Sequence, residues 1–157
     1  MKQILLSLSC GQLFAEVERT TAYLGAKQAP AESPGSHFDR VAATTADRPL
    51  LRRFSLEALS TLAERLKGIV SAIDTGADPS AGSEPAFALT LTLSEAYDSS
   101  LTPSARANFE GYMAAFVTSR WLRLSAPDKE APWQTEARRL LLEITSTLYH
   151  RNPPKRN

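Results

Sequence analysis

The chain has 157 residues, 43% of them hydrophobic, which suffices for one domain with its own core and no covalent staple. Its single cysteine excludes an internal disulfide, and no CxxC pair is present for a redox or zinc centre. Formal net charge is +1, but residues 1–101 carry 9 Lys and Arg against 12 Asp and Glu, whereas residues 102–157 carry 9 against 5, so the last third is positive by four.

The opening MKQILLSLSC admits two readings: a secretion signal ending in a lipid-anchor cysteine, or a strand. A signal needs an apolar stretch of roughly 7–15 residues, and here the stretch from Ile4 to Leu8 is already interrupted by Ser7. Leu8 is also misplaced for a lipid-attachment box before Cys10. Ile4, Leu6, Leu8 and Cys10 alternate with Leu5, Ser7 and Ser9, which predicts a strand. Ser9 and Gln12 have capping-box spacing and predict a helix from Cys10. No later stretch approaches the roughly 18 apolar residues of a membrane span. The expectation is a chain that is soluble and cytoplasmic at synthesis, with no membrane partner.

The first helix is expected over residues 10–24. Leu13, Val17 and Leu24, with Phe14 and Thr21 beside them, form its apolar side, and Gly25 stands at its C-terminal end. Residues 26–47 lose periodicity and read as a long surface loop. That loop lacks the spaced glycines and Gly-Lys-Ser/Thr of a phosphate cradle. Asp47 is placed to cap a helix over 48–73, with Pro49 in its first turn and Phe54, Ala58, Leu62, Leu66, Ile69, Val70 and Ile73 on one face. Gly68 weakens that helix, and residues 74–85 read as a turn or loop.

AFALTLTL, residues 86–93, is the clearest strand. Its expected partner is Ile4 to Ser9, or the same strand of a neighbouring subunit. Thr102-Pro103 starts a helix to Leu124 whose face carries Phe109, Tyr112, Met113, Phe116, Val117, Trp121 and Leu124. After SAPDKEAP a last helix runs from Trp133 to His150, and Trp121 and Trp133 are expected to pack together. The predicted fold is mainly α, about four helices with one or two short β-strands. It forms a single helical domain over residues 1–150, with a basic flexible tail at 151–157.

Neither His37 nor His150 lies in a metal-binding spacing, and no GxSxG is present. Glu136 and Glu143 share a helix face beside Arg139, as surface ion pairs do. No catalytic, cofactor-binding or metal-binding residue is assigned, no cofactor is expected, and an enzyme is not expected. The aromatic stripe reads as core. The residues assigned to partner contact are Arg120, Arg123, Arg138, Arg139, Arg151, Lys155 and Arg156, with Arg120 expected to be partly buried and paired. They would suit an acidic partner or sequence-independent nucleic-acid binding. The break between the last helices is too long for a helix-turn-helix.

The leucine-rich helix, then LTLTLSEAYDSSLTPSARANFEGYMAAFVTSRWLRL, then TEARRLLLEITSTLYHRNPPKR resembles small helical phage and prophage proteins of the head–tail connector or head-completion type. The resemblance covers roughly residues 48–156, with an echo at LFAEVERTTAYLGAK. It is carried by the strand before Tyr97-Asp98, by Arg120-Trp121, and by Leu148-Tyr149-His150-Arg151 before the proline-rich tail. It implies a non-enzymatic virion assembly protein acting through protein–protein contacts, with portal or tail components as partners, a homo-oligomeric ring, and a final location in the virion. Residues 26–47 and 150–157 would then order on assembly. The alternatives are a cytosolic helical module that contacts nucleic acid through the C-terminal arginines, and a small enzyme using the long loop as a lid.

Overall fold

The alternation at the N-terminus is a strand, β1 (Lys2–Ser9), and it passes directly into helix α1 (Cys10–Lys27). The Gln12 amide donates to Ser9 Oγ at 3.4 Å, so the capping serine stands where its spacing predicted. The chain is described by a computed structural model over residues 1–27, 41–76 and 84–153. The other described elements are α2 (Arg48–Arg65), β2 (Val70–Thr75), β3 (Ala86–Leu93), α3 (Thr102–Ser125) and α4 (Ala131–Tyr149). Mainly α is therefore correct, and the sheet has three strands rather than one or two.

β3 is the central strand of an antiparallel sheet of order β1-β3-β2. It needs no neighbouring subunit, because β1 pairs along its whole length and β2 along its other edge. The β1 register sets Ile4 opposite Leu91, Leu6 opposite Leu89 and Leu8 opposite Phe87, so the apolar residues of both strands face one way. That face joins Leu13 and Val17 of α1, Leu51 and Leu59 of α2, and Phe109 and Met113 of α3 in one core. Phe14 meets Phe87 edge to face at 6.2 Å. On the free side of β1, Arg106 of α3 donates to the Leu5 carbonyl at 3.2 Å.

The helix expected over 48–73 stops at Arg65. Leu66 follows it, and the Leu66 carbonyl accepts from the amides of Ile69 (2.8 Å) and Val70 (3.1 Å), closing a tight turn around Gly68. Ile69, Val70 and Ile73 are β-branched and Gly68 is a weak helix former, so local propensity already favours a stop. The second edge of β3 then supplies backbone partners, beginning with the Thr92 amide on the Ile69 carbonyl at 2.8 Å. β2 carries a register shift between Val70 and Ala72 and is largely exposed, with Ile73 51% accessible.

Three further expectations are corrected. Gly25 does not end α1; it lies buried within the last turn of a helix that continues to Lys27. Val41, Ala42 and Ala43 belong to the expected surface loop yet are 1–5% exposed. The fully buried Thr21 hydroxyl accepts the Ala43 amide at 2.9 Å and donates to the Val17 carbonyl at 2.8 Å, and Trp121 Nε1 donates to the Val41 carbonyl at 2.6 Å. Trp121 is thus turned to Val41, and the ring contacts among the described residues are Phe14–Phe87 and Tyr112–Phe116 rather than Trp121–Trp133. The rest of that loop, residues 28–40, lies outside the described residues.

Asp47 does not cap α2 in the expected sense. Its carboxylate reaches back to the Thr44 amide at 2.8 Å and hydroxyl at 3.0 Å, closing the short turn Thr45–Asp47 that leads into the helix. Thr102 likewise lies inside the first turn of α3, its hydroxyl hydrogen-bonded with that of Tyr97 at 3.2 Å, while Asp98 caps the preceding turn through the Ser100 amide.

α3 is the central helix, and α4 packs along it. Gly111 allows the close approach: a Cβ there would stand 3.1 Å from Leu140 Cδ1. Of the expected stripe, Leu124 is 63% exposed, while Leu122, on another side of the helix, is fully buried. After α4 the chain is pinned: Arg151 bridges to Tyr97, and the Asn152 amide donates to the Ala96 carbonyl at 3.0 Å. The first residues of the expected flexible tail are therefore held, and residues 154–157 lie outside the described set. Among the described residues, no helix is long and apolar enough to cross a membrane.

Candidate functional site: an arginine-lined groove

Helices α2, α3 and α4 leave a groove of about 240 Å³ between them. Arg65 reaches it from the end of α2, Arg120 and Arg123 from the last turns of α3, and Arg138 from α4. Tyr112, Phe116 and Leu141 supply an apolar floor. Sequence dictates this arrangement through helical spacing. Glu57, Thr61 and Arg65 lie four residues apart along α2, as do Tyr112, Phe116 and Arg120 along α3, so each set forms a row on one helix face.

The four guanidinium groups are not equivalent. Arg120 lies over the Phe116 ring, 4.9 Å from its centroid, with its Nε 3.6 Å from the Glu57 carboxylate. It is partly buried and paired, as expected from sequence. Arg123 donates through Nε (3.0 Å) and Nη2 (2.8 Å) to Glu130 Oε1, and Ser119 Oγ donates to the same oxygen at 3.4 Å. The hydrogen bond from Arg123 holds the Glu130 carboxyl below the usual carboxylate range, against a smaller opposing effect of burial. Arg65 and Arg138 are exposed and make no ion pair with the described residues. Basic residues at the C-terminal ends of α2 and α3 also complement the helix dipoles, which accounts for part of the placement of Arg65 and Arg123.

The floor offers no acid–base group. Tyr112 is buried, its hydroxyl donates to the Ala58 carbonyl at 2.8 Å, and burial pushes its phenol well above the ordinary range. Thr61 donates to the Glu57 carbonyl at 2.9 Å. What the groove presents is a set of planar donors held on three rigid helices, a geometry that matches carboxylate or phosphate oxygens.

Of the seven cations assigned from sequence, Arg120, Arg123 and Arg138 converge here. Arg139, adjacent to Arg138 but turned along the helix, is held by Glu136 at 2.6 Å and Glu143 at 3.1 Å. Arg151 lies at the Tyr97 bridge, and Lys155 and Arg156 are outside the described residues. Arg65 was missed, since it falls in the acidic two-thirds of the chain; the row Glu57–Thr61–Arg65 was the signal that could have found it. Cys10 is buried at the start of α1, where loss of solvent raises its thiol pKa, in keeping with a packing residue. Comparison of the chain with family models, curated proteins and solved structures returns no match.

Proposed function

We propose that this chain is a non-enzymatic assembly protein that acts through protein–protein contacts, with the arginine-lined groove as its working surface. The observation that carries the reading is the placement of Arg65, Arg120, Arg123 and Arg138 on three helices around an apolar floor. The buried Tyr112 hydroxyl there is already committed to a backbone carbonyl, so the groove suits holding a partner and not transferring a proton. The resemblance to phage and prophage head–tail connector proteins supplies the biological setting: portal or tail components as partners, and a ring built from copies of the chain.

The test is assembly. The purified chain is followed by size-exclusion chromatography with light scattering across a concentration series, alone and mixed with the products of neighbouring genes. The expected result is mass rising above the 17.1 kDa of one chain, or co-elution with a portal or tail product. A chain that stays monomeric at every concentration and co-elutes with none of them defeats the virion reading.

A further inference from the structure

We infer that the groove between α2, α3 and α4 receives an acidic peptide segment of a partner protein, with a carboxylate held between Arg65 and Arg138 and a neighbouring apolar side chain on Phe116 and Leu141. The inference deepens the binding reading above and is independent of the virion setting.

Charge complementarity sets the sign of the ligand. Four arginines line the groove, and Glu57 and Glu130 offset Arg120 and Arg123, which leaves Arg65 and Arg138 as the donors without an anion among the described residues. An arginine fork engages a carboxylate through two parallel N–H···O bonds, and its binding strengthens where nearby apolar surface excludes water. The two paired arginines have a different part. Glu57 and Glu130 hold them against the α3 face, so the groove keeps its shape without a ligand.

Size and surroundings choose a peptide over a nucleic acid. About 240 Å³ accommodates a few side chains rather than a run of phosphates and sugars. A nucleic-acid track needs a continuous positive path. Here Glu57, Glu64 and Glu130 interrupt it, and the remaining C-terminal arginine on α4, Arg139, is neutralised by Glu136 and Glu143. The apolar floor has no counterpart in a phosphodiester backbone, but it fits an aliphatic residue beside a glutamate or aspartate.

The experiment uses the full chain and a short fluorescein-labelled peptide of glutamates around one leucine, read by fluorescence anisotropy at low salt. A labelled single-stranded oligonucleotide is the parallel probe. The double variant Arg65→Glu/Arg138→Glu changes only exposed side chains, and circular dichroism checks its fold. The expected result is saturable peptide binding, weakened about tenfold or more in the double variant and unchanged in Arg139→Glu. Absence of peptide binding, equal loss in Arg139→Glu, or tighter binding of the oligonucleotide than of the peptide would each overturn the inference. Peptide binding by a chain that never assembles would retain the groove and discard the virion setting; assembly without peptide binding would do the reverse.

Discussion

Gly76 ends β2 with φ at +67°, and its amide donates to the Asp74 carboxylate at 2.9 Å. A Cβ at this position would lie 2.9 Å from Cys10 Sγ and 3.4 Å from the Ala86 carbonyl oxygen. Gly76→Ala therefore meets two separate penalties. The left-handed backbone costs about 1–2 kcal/mol for a residue with a Cβ, partly offset by about 0.4–1 kcal/mol from the smaller entropy of the unfolded alanine chain. Crowding against the sulfur adds about 1–3 kcal/mol, the usual range for overpacking. Deleting the sulfur with Cys10→Ala removes the second penalty and leaves the first. In the double variant Gly76→Ala should then cost only about 1 kcal/mol, where in the native background it costs about 2–4 kcal/mol. Urea unfolding followed by tryptophan fluorescence on all four proteins of the cycle measures this, and each kcal/mol corresponds to about 2–4 °C in Tm for a chain of this size. Additive effects within about 0.5 kcal/mol would refute the contact between the end of β2 and the start of α1. A neutral Gly76→Ala would refute the left-handed turn as well.

Thr21→Val keeps the shape of a fully buried side chain but leaves the Ala43 amide without its acceptor, so it should destabilise by about 1–3 kcal/mol in chemical denaturation. Thr21→Ser, which retains the hydroxyl, should recover part of that loss; identical effects of the two variants would remove the hydrogen bond as the cause. Trp121→Phe deletes the donor to the Val41 carbonyl and should cost about 1–3 kcal/mol, with Trp133 left as the fluorescent reporter; an unchanged midpoint would mean the bond does not hold residues 41–43. In the Arg123→Ala variant the Glu130 carboxyl should titrate closer to the ordinary range, as followed by carbon-13 NMR of the side-chain carboxyls. Because the native carboxyl is depressed, its contribution to stability is present above the unfolded pKa of about 4.3 and disappears as pH falls through the native value. The stability difference between native chain and variant should accordingly shrink in acid, and a constant difference down to full protonation would locate the effect elsewhere.

Hydrophobic period made much of this architecture legible in advance, whereas of the expected caps Ser9 stands and Gly25 and Asp47 do not. The alternation of Ile4, Leu6 and Leu8 with Leu5, Ser7 and Ser9, that of Phe87, Leu89, Leu91 and Leu93 with Ala88, Thr90 and Thr92, and the spacing from Phe109 to Trp121 are local signals, and each is read within one element. For residues 86–93 two partners stood open, Ile4 to Ser9 and the same strand of a neighbouring subunit, and the pairing of β1 and β2 on the two edges of β3 decides for the first. β2 was hidden for a physical reason: residues spaced as Ile69, Val70 and Ile73 are fit both a helix face and a strand with a bulge. The choice between them depends on the free edge of β3, whose paired residues run from Leu91 opposite Val70 to Phe87 opposite Thr75 and lie beyond the reach of a local signal.

The groove shows the same division. Arginine enrichment after residue 101 is a property of composition, and it pointed to Arg120, Arg123 and Arg138. It pointed equally to Arg139, whose guanidinium is neutralised within its own helix, and it passed over Arg65. Sequence by itself determined which segments are amphipathic, where several of them begin, and which end of the chain is basic, because those depend on neighbours a few residues away. Only tertiary structure decided that Val70–Thr75 joins a sheet, that Val41–Ala43 docks on Thr21 and Trp121, and that four arginines from three helices share one groove. Each of those outcomes is a contact between groups distant in sequence, and its free energy exists only once the helices and strands have packed.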